Sequence, residues 1–506
     1  MTLLSRVLGL ARDIVIARFF ASGFEADAFF VAFKIPNFMR RLFAEGAFSQ
    51  AFVPVLTEYK NTRAKEDTKA FISAVAGTLG AILFIVAIVG SLASPLLVMV
   101  FAAGFYDEPE KFNLTADLLR LTFPYIFLIS MTALAGGILN AWKKFAIPAV
   151  TPVLLNVSLI GCVFYLSPYL DVPVHSLAWG VLLAGCLQLF FQLPFLYSLG
   201  LLPKPRWGWK DKGVKKVVKL MVPIIFGSSV AQINLLFDTF IASFLVTGSV
   251  AWLYYADRLL EFPLGIFGIA LATVVLPYLS ESHVKKQSSD FTQTLAWAVH
   301  IAMLIALPAM VGLFLLASPI LATLFQYEAF TQNDTFMSGL SLMAYSLGLP
   351  AFIGIKILVN GFYARQDTKT PVKIGIIALV FNMFLNVVFV YSMIKIDYIA
   401  PHVGLALATV GSAYLNAGLL AYHLHKQKVL TIKWSMLFPF IRILLAVSAM
   451  AVVVFVNLPE QSIWTAWEWQ QRVLRLGLLI TAAIGSYLFV LWFFGLRKGD
   501  LAVKNT

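Results

Sequence analysis

Three short stretches of the sequence carry charged residues at helical spacing inside segments that are otherwise apolar. In the first, Arg6 and Asp13 lie seven residues apart, hence on one face of a helix, and Arg12 stands next to Asp13. The other two stretches contain Asp27, Lys34, Asn37, Arg40, Arg41 and nearby Glu45 around Pro36, and Asp257, Arg258 and Glu261 before Pro263. A charge at the centre of a bilayer costs about 2.5 to 3.5 kcal/mol on insertion scales, so such residues usually face water or a partner.

The type of charge indicates the chemistry. The planar fork of arginine can bind two oxygens of a phosphate or carboxylate at once, which predicts an anionic substrate. The acids would orient the arginines or close a gate when substrate is absent. Internal salt bridges that hold the protein together are the competing interpretation. The predicted substrate-binding residues are Arg6, Arg12, Asp13, Asp27, Lys34, Asn37, Arg40, Glu45, Arg258 and Glu261.

Motifs for catalysis are missing from the sequence. It has no Walker loop, and no histidine stands in an HExxH or nucleophile-elbow context. Cys162 and Cys186 each lie in an apolar segment without a ligand pair at metal spacing. We therefore predict a protein that is not an enzyme, with no catalytic residue, no metal and no cofactor.

The elements that position these charges follow from composition. Hydrophobic residues make up 60% of the 506 positions and charged residues 12%, whereas soluble proteins have about 25% charged residues. A span needs about 20 apolar residues, and the runs lack the period-2 alternation of a membrane barrel. The sequence predicts an all-α integral membrane protein with about fourteen spans, near 3–20, 26–57, 70–102, 114–141, 147–167, 174–202, 217–245, 249–279, 292–325, 336–363, 371–394, 402–424, 434–456 and 472–496.

The loops between these segments alternate in charge. One set of alternate loops holds 24 lysines and arginines, including seven between 203 and 219, and the other set holds 4. Because cytoplasmic loops are rich in lysine and arginine, we expect both termini to be cytoplasmic. The net charge of +13 is then explained by loops facing anionic lipid, and nucleic acid is not predicted as a partner.

A faint internal repeat indicates the domain organisation. Val53-Pro54 and the following residues to Glu58 resemble Leu276-Pro277 to Glu281, 223 residues later. Six helices in each half would give a parallel repeat, with a site between two lobes at mid-membrane. The predicted organisation is an N-terminal lobe at 1–202, a cytoplasmic linker at 203–216, a C-terminal lobe at 217–425 and two further helices at 434–496.

Four long stretches carry a resemblance to a known family, and it extends over essentially the whole chain. They are SRVLGLARD at 5–13, DAFFVAFKIPNFMRRLFAEGAFSQAFVPVL at 27–56, SVAWLYYADRLLEFPLGIFGIALATVVLP at 249–277 and GFYARQDTKTPVKI at 361–374. The sequence resembles the MurJ (MviN) lipid II flippases of the multidrug, oligosaccharidyl-lipid and polysaccharide exporter superfamily. Members generally have a longer segment before the SRVLG motif, so either a short first helix or a start further upstream is expected.

The resemblance implies a function and a site. It implies export of the undecaprenyl-diphosphate-linked peptidoglycan precursor across the bacterial inner membrane, with two lobes around a cationic cavity. The last two helices would form a groove for the lipid tail. Lipid II and membrane lipids are the implied partners, while a coupling ion of unknown identity and the cell-wall synthesis machinery stay open. The cavity residues implied by the resemblance are Arg6, Arg12, Asp13, Asp27, Asn37, Arg40, Arg258 and Glu261.

Three alternatives remain open from the sequence. A flippase for another polyprenyl-diphosphate glycan would share these features. A drug exporter of the same superfamily that carries cations would be expected to have acidic and aromatic residues in its cavity, whereas arginine predominates in these stretches. A membrane enzyme acting on polyprenyl phosphates would need clustered acids for metal in its loops, whereas these loops are rich in lysine.

The loop charges predict a topology that can be measured. A reporter that is active only in the cytoplasm should be active when fused within 203–216 or at the C-terminus, and inactive at residue 106 or 330. Cytoplasmic activity at residue 106 or 330 would refute this orientation.

Overall fold

The computed structural model of the chain describes residues 2–41, 48–285, 287–430 and 437–495, and within these ranges it contains helices and turns but no strand. Helices satisfy every backbone polar group within the segment, as an apolar solvent requires. In chain order the α-helices are α1 (Thr2–Phe20), α2 (Phe24–Met39), α3 (Ser49–Thr62), α4 (Lys65–Leu92), α5 (Ser94–Phe101), α6 (Pro109–Thr122), α7 (Tyr125–Ala141), α8 (Thr151–Tyr165), α9 (His175–Ser198), α10 (Lys212–Ala242), α11 (Ser249–Pro263), α12 (Ile269–Val284), α13 (Ser288–Leu315), α14 (Ala317–Leu324), α15 (Gln332–Ser346), α16 (Leu349–Tyr363), α17 (Lys369–Lys395), α18 (Val403–Lys426), α19 (Leu437–Asn457), α20 (Gln461–Ala466) and α21 (Trp469–Phe493).

Several predicted apolar segments are interrupted helices. The segment predicted at 26–57 contains α2 and α3, with residues 42–47 outside the described ranges. The segment at 249–279 contains α11 and α12, joined by a π-helical turn at Leu264–Gly268 directly after Pro263. Pi turns are rare and occur frequently at functional sites. The proline break predicted beside Arg258 is therefore present as a change in helical geometry.

The all-α class is confirmed, and the number of spans stays a prediction. In the described part of the chain, ten helical segments are long and apolar enough to cross a membrane, or eleven if α15 and α16, bent by 41°, form one span. Helix α1 falls outside this set because four charges lie within its 19 residues: Arg6, Arg12, Asp13 and Arg18. The same charges that suggest a function thus lower the apolar character of the helix.

The chain divides into two compact units. Unit 1 comprises Met1–Ala251 with Tyr327–Phe330, and unit 2 comprises Trp252–Gln326 with Thr331–Thr506. The division into lobes at residues 203–216 stays a prediction.

Unit 1 is held together by an apolar cluster and by helix pairs. In it α1 packs on α8, α2 on α6, and α9 on both α7 and α8. The apolar cluster joins α3, α4, α7 and the start of α10, with stacked rings of Phe52 and Phe71 at 6.0 Å between centroids. These contacts fix α1 and α2, which carry two of the three charged stretches.

Unit 2 has two apolar clusters. One joins α12, α13, α16 and α18. The other joins α19 and α21 to α13 and α14, and contains the fully buried Trp464. The Trp464 indole donates to Thr323 Oγ1 at 3.1 Å, and the Tyr487 hydroxyl donates to the Leu304 carbonyl at 2.6 Å. The C-terminal helices are therefore packed and hydrogen-bonded onto this unit.

Arg472 is buried in unit 2 and binds backbone carbonyls. Its guanidinium donates to Ala322 and Gln326 near the end of α14, at 3.1 and 3.3 Å. It also donates to Thr465 and Trp467 near the end of α20, at 2.6 and 2.9 Å. Carbonyls at helix C-termini have no hydrogen-bond partner within the helix and carry partial negative charge. A buried arginine both donates hydrogen bonds to them and balances that charge.

We predict that Arg472→Leu lowers the stability of the purified protein. The change leaves four carbonyls without a charged donor, and loss of hydrogen bonds to a charged group costs about 1.5 to 3 kcal/mol. The thermal unfolding temperature measures this effect. Arg475→Leu is the matched control, because Arg475 is exposed on the same helix and its guanidinium lies 5.2 Å from the centroid of the Trp467 ring. Among the described residues it forms no ion pair or hydrogen bond. Equal unfolding temperatures for the two variants would contradict the role of Arg472.

Candidate functional site

Arg12 on α1 is buried and held on both sides of its guanidinium. Nε and Nη2 donate to Asp13 Oδ1 at 2.9 and 2.6 Å, and Nη1 donates to Asn156 Oδ1 at 3.1 Å. Asn156 lies in α8, and its amide nitrogen donates to the Ser5 carbonyl at 3.1 Å. Arg12 is 6% exposed and Asp13 fully buried. This network fixes the orientation of the arginine and balances its charge.

Sequence reasoning missed Asn156. The signal was present, because an amide in the middle of the apolar run VLLNVSL needs a hydrogen-bonding partner once buried. What the sequence could not supply was which helix would provide that partner. The packing of α1 on α8 decides it.

Arg6 lies on the same helix as Arg12. Its side chain is half-buried, and no ion pair or hydrogen bond of Arg6 is found among the residues that the structure describes. Asp13, which the seven-residue spacing places on the same helical face as Arg6, accepts from its neighbour Arg12. Within the described residues, Arg6 thus offers an arginine fork that no carboxylate pairs with.

Asp27, at the start of α2, is buried among donors. Its two oxygens accept from the backbone N–H groups of Gly248, just before α11, and of Ala251, in its first turn, at 2.7 and 2.9 Å. Lys111 lies 3.2 Å away and is equally buried. The Lys111 ammonium also donates to Thr247 Oγ1 at 3.0 Å. A carboxylate at a helix N-terminus binds free N–H groups and complements the helix dipole.

Lys111 is the second residue that the sequence analysis did not single out. Lys111 is one of the four cations counted in the cation-poor set of loops, and it follows the acidic residues at 107–110. Because Lys111 is only 2% exposed, it is an internal ion-pair partner of Asp27. With its oxygens bound by two amides and an ammonium, Asp27 has the geometry of a residue that positions the start of α11.

The remaining predicted residues of α2 are half-buried. Arg40 Nε donates to Asn37 Oδ1 at 2.9 Å, which joins two predicted residues three positions apart. Lys34 is half-buried on the same helix. Glu45 lies outside the described residues.

Arg258 on α11 forms a more open arrangement in unit 2. Nη1 donates to Glu261 Oε2 at 2.8 Å, and Nη2 donates to the hydroxyl of Tyr254 at 3.1 Å. The guanidinium carbon lies 5.4 Å from the centroid of the Tyr254 ring. The side chain of Arg258 is 29% exposed and that of Glu261 45%. Both partners of this ion pair are therefore partly accessible to an approaching anion.

The fourth stretch of the resemblance, at 361–374, is a turn that starts α17. Asp367 accepts from the backbone N–H and the hydroxyl of Thr370 at 3.0 and 2.7 Å. These hydrogen bonds hold the pKa of Asp367 below its ordinary value. Arg365 donates to the Gly361 carbonyl at 3.1 Å and to the side chain of Gln427. This stretch therefore has a structural explanation.

The fold is similar to that of a solved membrane protein. A solved structure of a multidrug resistance MATE family transporter of the MOP superfamily, inward-facing, covers 84% of this chain and 94% of its own with a TM-score of 0.67. Its sequence identity is 16%, so this likeness concerns the fold alone.

The particular family follows from the sequence comparisons. The model of the family described as "Lipid II flippase MurJ" matches residues 16–473. "Probable lipid II flippase MurJ" of Vibrio cholerae is 48% identical over 99% of this chain and 95% of its own length. The protein of the same name from Haemophilus influenzae is 47% identical over 100% of both chains. A solved structure titled "Lipid II flippase MurJ, inward closed conformation" is 29% identical, with a TM-score of 0.80 over 97% of both chains. The chain belongs to the MurJ family.

Proposed function

We propose that this protein is a lipid II flippase, which moves the undecaprenyl-diphosphate-linked peptidoglycan precursor from the cytoplasmic to the periplasmic leaflet by alternating access. The observation that carries the proposal is the identity of 47% to 48% over nearly the full length to two proteins named as probable lipid II flippases. Because relatives at this distance bear the name of a transporter, transport of a lipid-linked substrate is favoured over enzymatic transfer.

Arg258 is the residue that best fits the diphosphate. Its guanidinium is already oriented by the ring and hydroxyl of Tyr254. Its carboxylate partner, Glu261, is half-exposed, so an anion can approach the pair. A diphosphate brings more negative charge than one carboxylate and can accept two parallel N–H bonds from the fork. Substrate would thus displace Glu261 from Arg258 when it binds.

Arg12 has a different role in substrate binding from Arg258. Its charge is balanced by Asp13, and its position is fixed by Asn156. Buried charge pairs cost much when one partner is removed, about 3 to 5 kcal/mol, because the other charge stays buried and unpaired. We infer that Arg12 and Asp13 form a rigid base on α1, and that the half-buried Arg6 on the same helix attracts the anion.

The half-buried cations in α2 and directly after it are further candidates for binding the anionic substrate. Arg40, oriented by Asn37, and Lys34 supply two more cations for phosphate or for the acidic peptide of the precursor. Asp27 serves the proposal indirectly by holding the first turn of α11 together with Lys111. Whether Glu45 contributes stays a prediction.

The C-terminal helices suit the lipid tail. In unit 2, α19 and α21 pack on each other and on α13. Their outward surfaces are apolar, including Val452, Phe455, Leu478 and Leu488, which are more than half exposed. We propose that the undecaprenyl chain lies along this surface.

The loop charges support a location in the bacterial inner membrane with both termini in the cytoplasm. That orientation places the loop at 203–216 on the side where the precursor is made. The identity of a coupling ion and contacts with the cell-wall synthesis machinery stay predictions.

The proposal predicts separate outcomes at the two best arginines. Arg258→Ala should insert and fold normally but fail to support growth of a strain depleted of its own flippase. Substrate affinity should fall roughly ten- to hundredfold, since a charge-assisted hydrogen bond contributes about 1.5 to 3 kcal/mol. Arg258→Lys should recover part of this loss, because it keeps the charge without the fork. Arg12→Ala should instead lower the amount of folded protein.

Arg120→Ala is the control for this experiment. Arg120 forms an ion pair with Asp117 at 3.1 Å, and both side chains of this pair are about half exposed. The two residues lie three positions apart, as do Arg258 and Glu261. It should support growth like the unchanged protein. Normal growth with Arg258→Ala at normal protein levels would remove Arg258 from the site. Loss of the Arg258→Ala protein from the membrane would show a structural role.

A further inference from the structure

The loop that precedes α10 is docked on α4 through its backbone. The N–H groups of Lys204 and Arg206 donate to the hydroxyl and carbonyl of Ser73 at 3.2 and 3.1 Å. The N–H of Gly208 donates to Thr78 Oγ1 at 2.9 Å. This approach requires glycine at position 77, because a Cβ there would stand 2.2 Å from the Arg206 carbonyl oxygen. The loop is therefore held in one conformation on α4.

This docking places a set of cations that we call the basic patch: Lys204, Arg206, Lys210, Lys212, Lys215, Lys216 and Lys219, all exposed. Lys216 pairs with Glu58 at 2.5 Å. Within the described part of the chain, the other six make no ion pair. The acid among them, Asp211, accepts from the N–H groups of Gly213 and Val214 and caps α10. The patch thus carries a strong uncompensated positive charge on an ordered backbone.

An apolar cavity lies beside the basic patch. It has a volume of about 180 Å³ and lies between α4 and α10, with Trp209 of the loop in its wall. Its other lining includes Val75, Leu79, Val217 and Val218. An engineered apolar cavity of about 150 Å³ binds benzene, so a cavity of this size and lining can accommodate part of a hydrocarbon chain.

The cavity has an open side. Ile82 and Val86 of α4 line it and are each 37% exposed. On the loop, Trp207 and Trp209 stack at 6.3 Å between centroids and are 64% and 45% exposed. Exposed tryptophan rings beside lysines are typical of the membrane interface, where one end of the ring is apolar and the other wet.

We propose that the basic patch and this cavity form a binding site for one anionic glycerophospholipid. The phosphate of its headgroup binds to the lysines around Trp209, and one acyl chain enters the cavity between α4 and α10. Charge decides the occupant, because the cations of the basic patch attract an anionic headgroup and offer no gain to a zwitterionic one. The site belongs to unit 1, and Met39, which directly precedes Arg40, is among the residues that line its cavity.

Binding of phosphatidylglycerol and phosphatidylcholine to the purified, delipidated full chain tests this site by native mass spectrometry. The first phosphatidylglycerol should bind at least tenfold tighter than phosphatidylcholine. Lys210→Gln with Lys212→Gln should weaken it roughly thirtyfold, from the contribution of each lysine near an anionic headgroup. Lys369→Gln with Lys426→Gln, which removes two exposed lysines elsewhere, should leave it unchanged.

The acyl-chain part of the site has its own variants. Val218→Phe fills the cavity without changing charge and should weaken phosphatidylglycerol at least tenfold, and Ile82→Phe at the open side should act in the same direction. Val222→Phe is the control, because Val222 is exposed one turn further along α10 and does not line the cavity. Unfolding temperatures near that of the unchanged protein establish that each variant is folded.

Several results would overturn the proposal. Equal affinity for the two lipids, or equal weakening by the two lysine pairs, would mean general attraction to a positive surface. Full affinity in both Val218→Phe and Ile82→Phe would show that no acyl chain enters the cavity. Displacement of phosphatidylglycerol by an equimolar polyprenyl diphosphate would assign the site to the transported substrate.

Discussion

A charge placed in an apolar solvent must be balanced and hydrogen-bonded within the protein, and the structure of this chain depends on how that requirement is met. Arg12 meets it with Asp13 and Asn156, and Asp27 meets it with Lys111 and two backbone amides. Each of these networks joins helices that the chain places far apart. The charged residues that make these segments less apolar therefore also form the contacts that hold α1 against α8 and α2 against the start of α11.

The same requirement distinguishes charges that are buried in pairs from charges that are partly exposed. Where both partners are buried, as in Arg12 with Asp13, the pair stays together because its separation leaves a charge without solvent. Where both are partly exposed, as in Arg258 with Glu261, an incoming anion can reach the pair. A transporter must bind and release its substrate, so partly exposed charges are the better candidates for substrate binding. The burial of each side chain distinguishes the two kinds of charge, and the sequence alone does not give it.

The sequence predicts the all-α class, the interruption of the helix at Pro263 and the family, because apolar length, proline and long motifs are local properties. It also singles out Arg12, Asp13, Arg258 and Glu261 as predicted substrate-binding residues. It does not predict that Asp13 pairs with its neighbour Arg12, since helical spacing gives the face and says nothing of the rotamer. The partners Asn156 and Lys111 come from other helices, and tertiary packing decides them.

Transport of lipid II by this chain can be measured in cells that are depleted of their own flippase and supplied with this protein. The quantity to measure is the fraction of lipid II that an impermeant probe labels from outside. We predict that the labelled fraction returns to the level seen before depletion. If lipid II stayed inaccessible while the protein was present in the membrane at normal levels, the chain would not be a lipid II flippase.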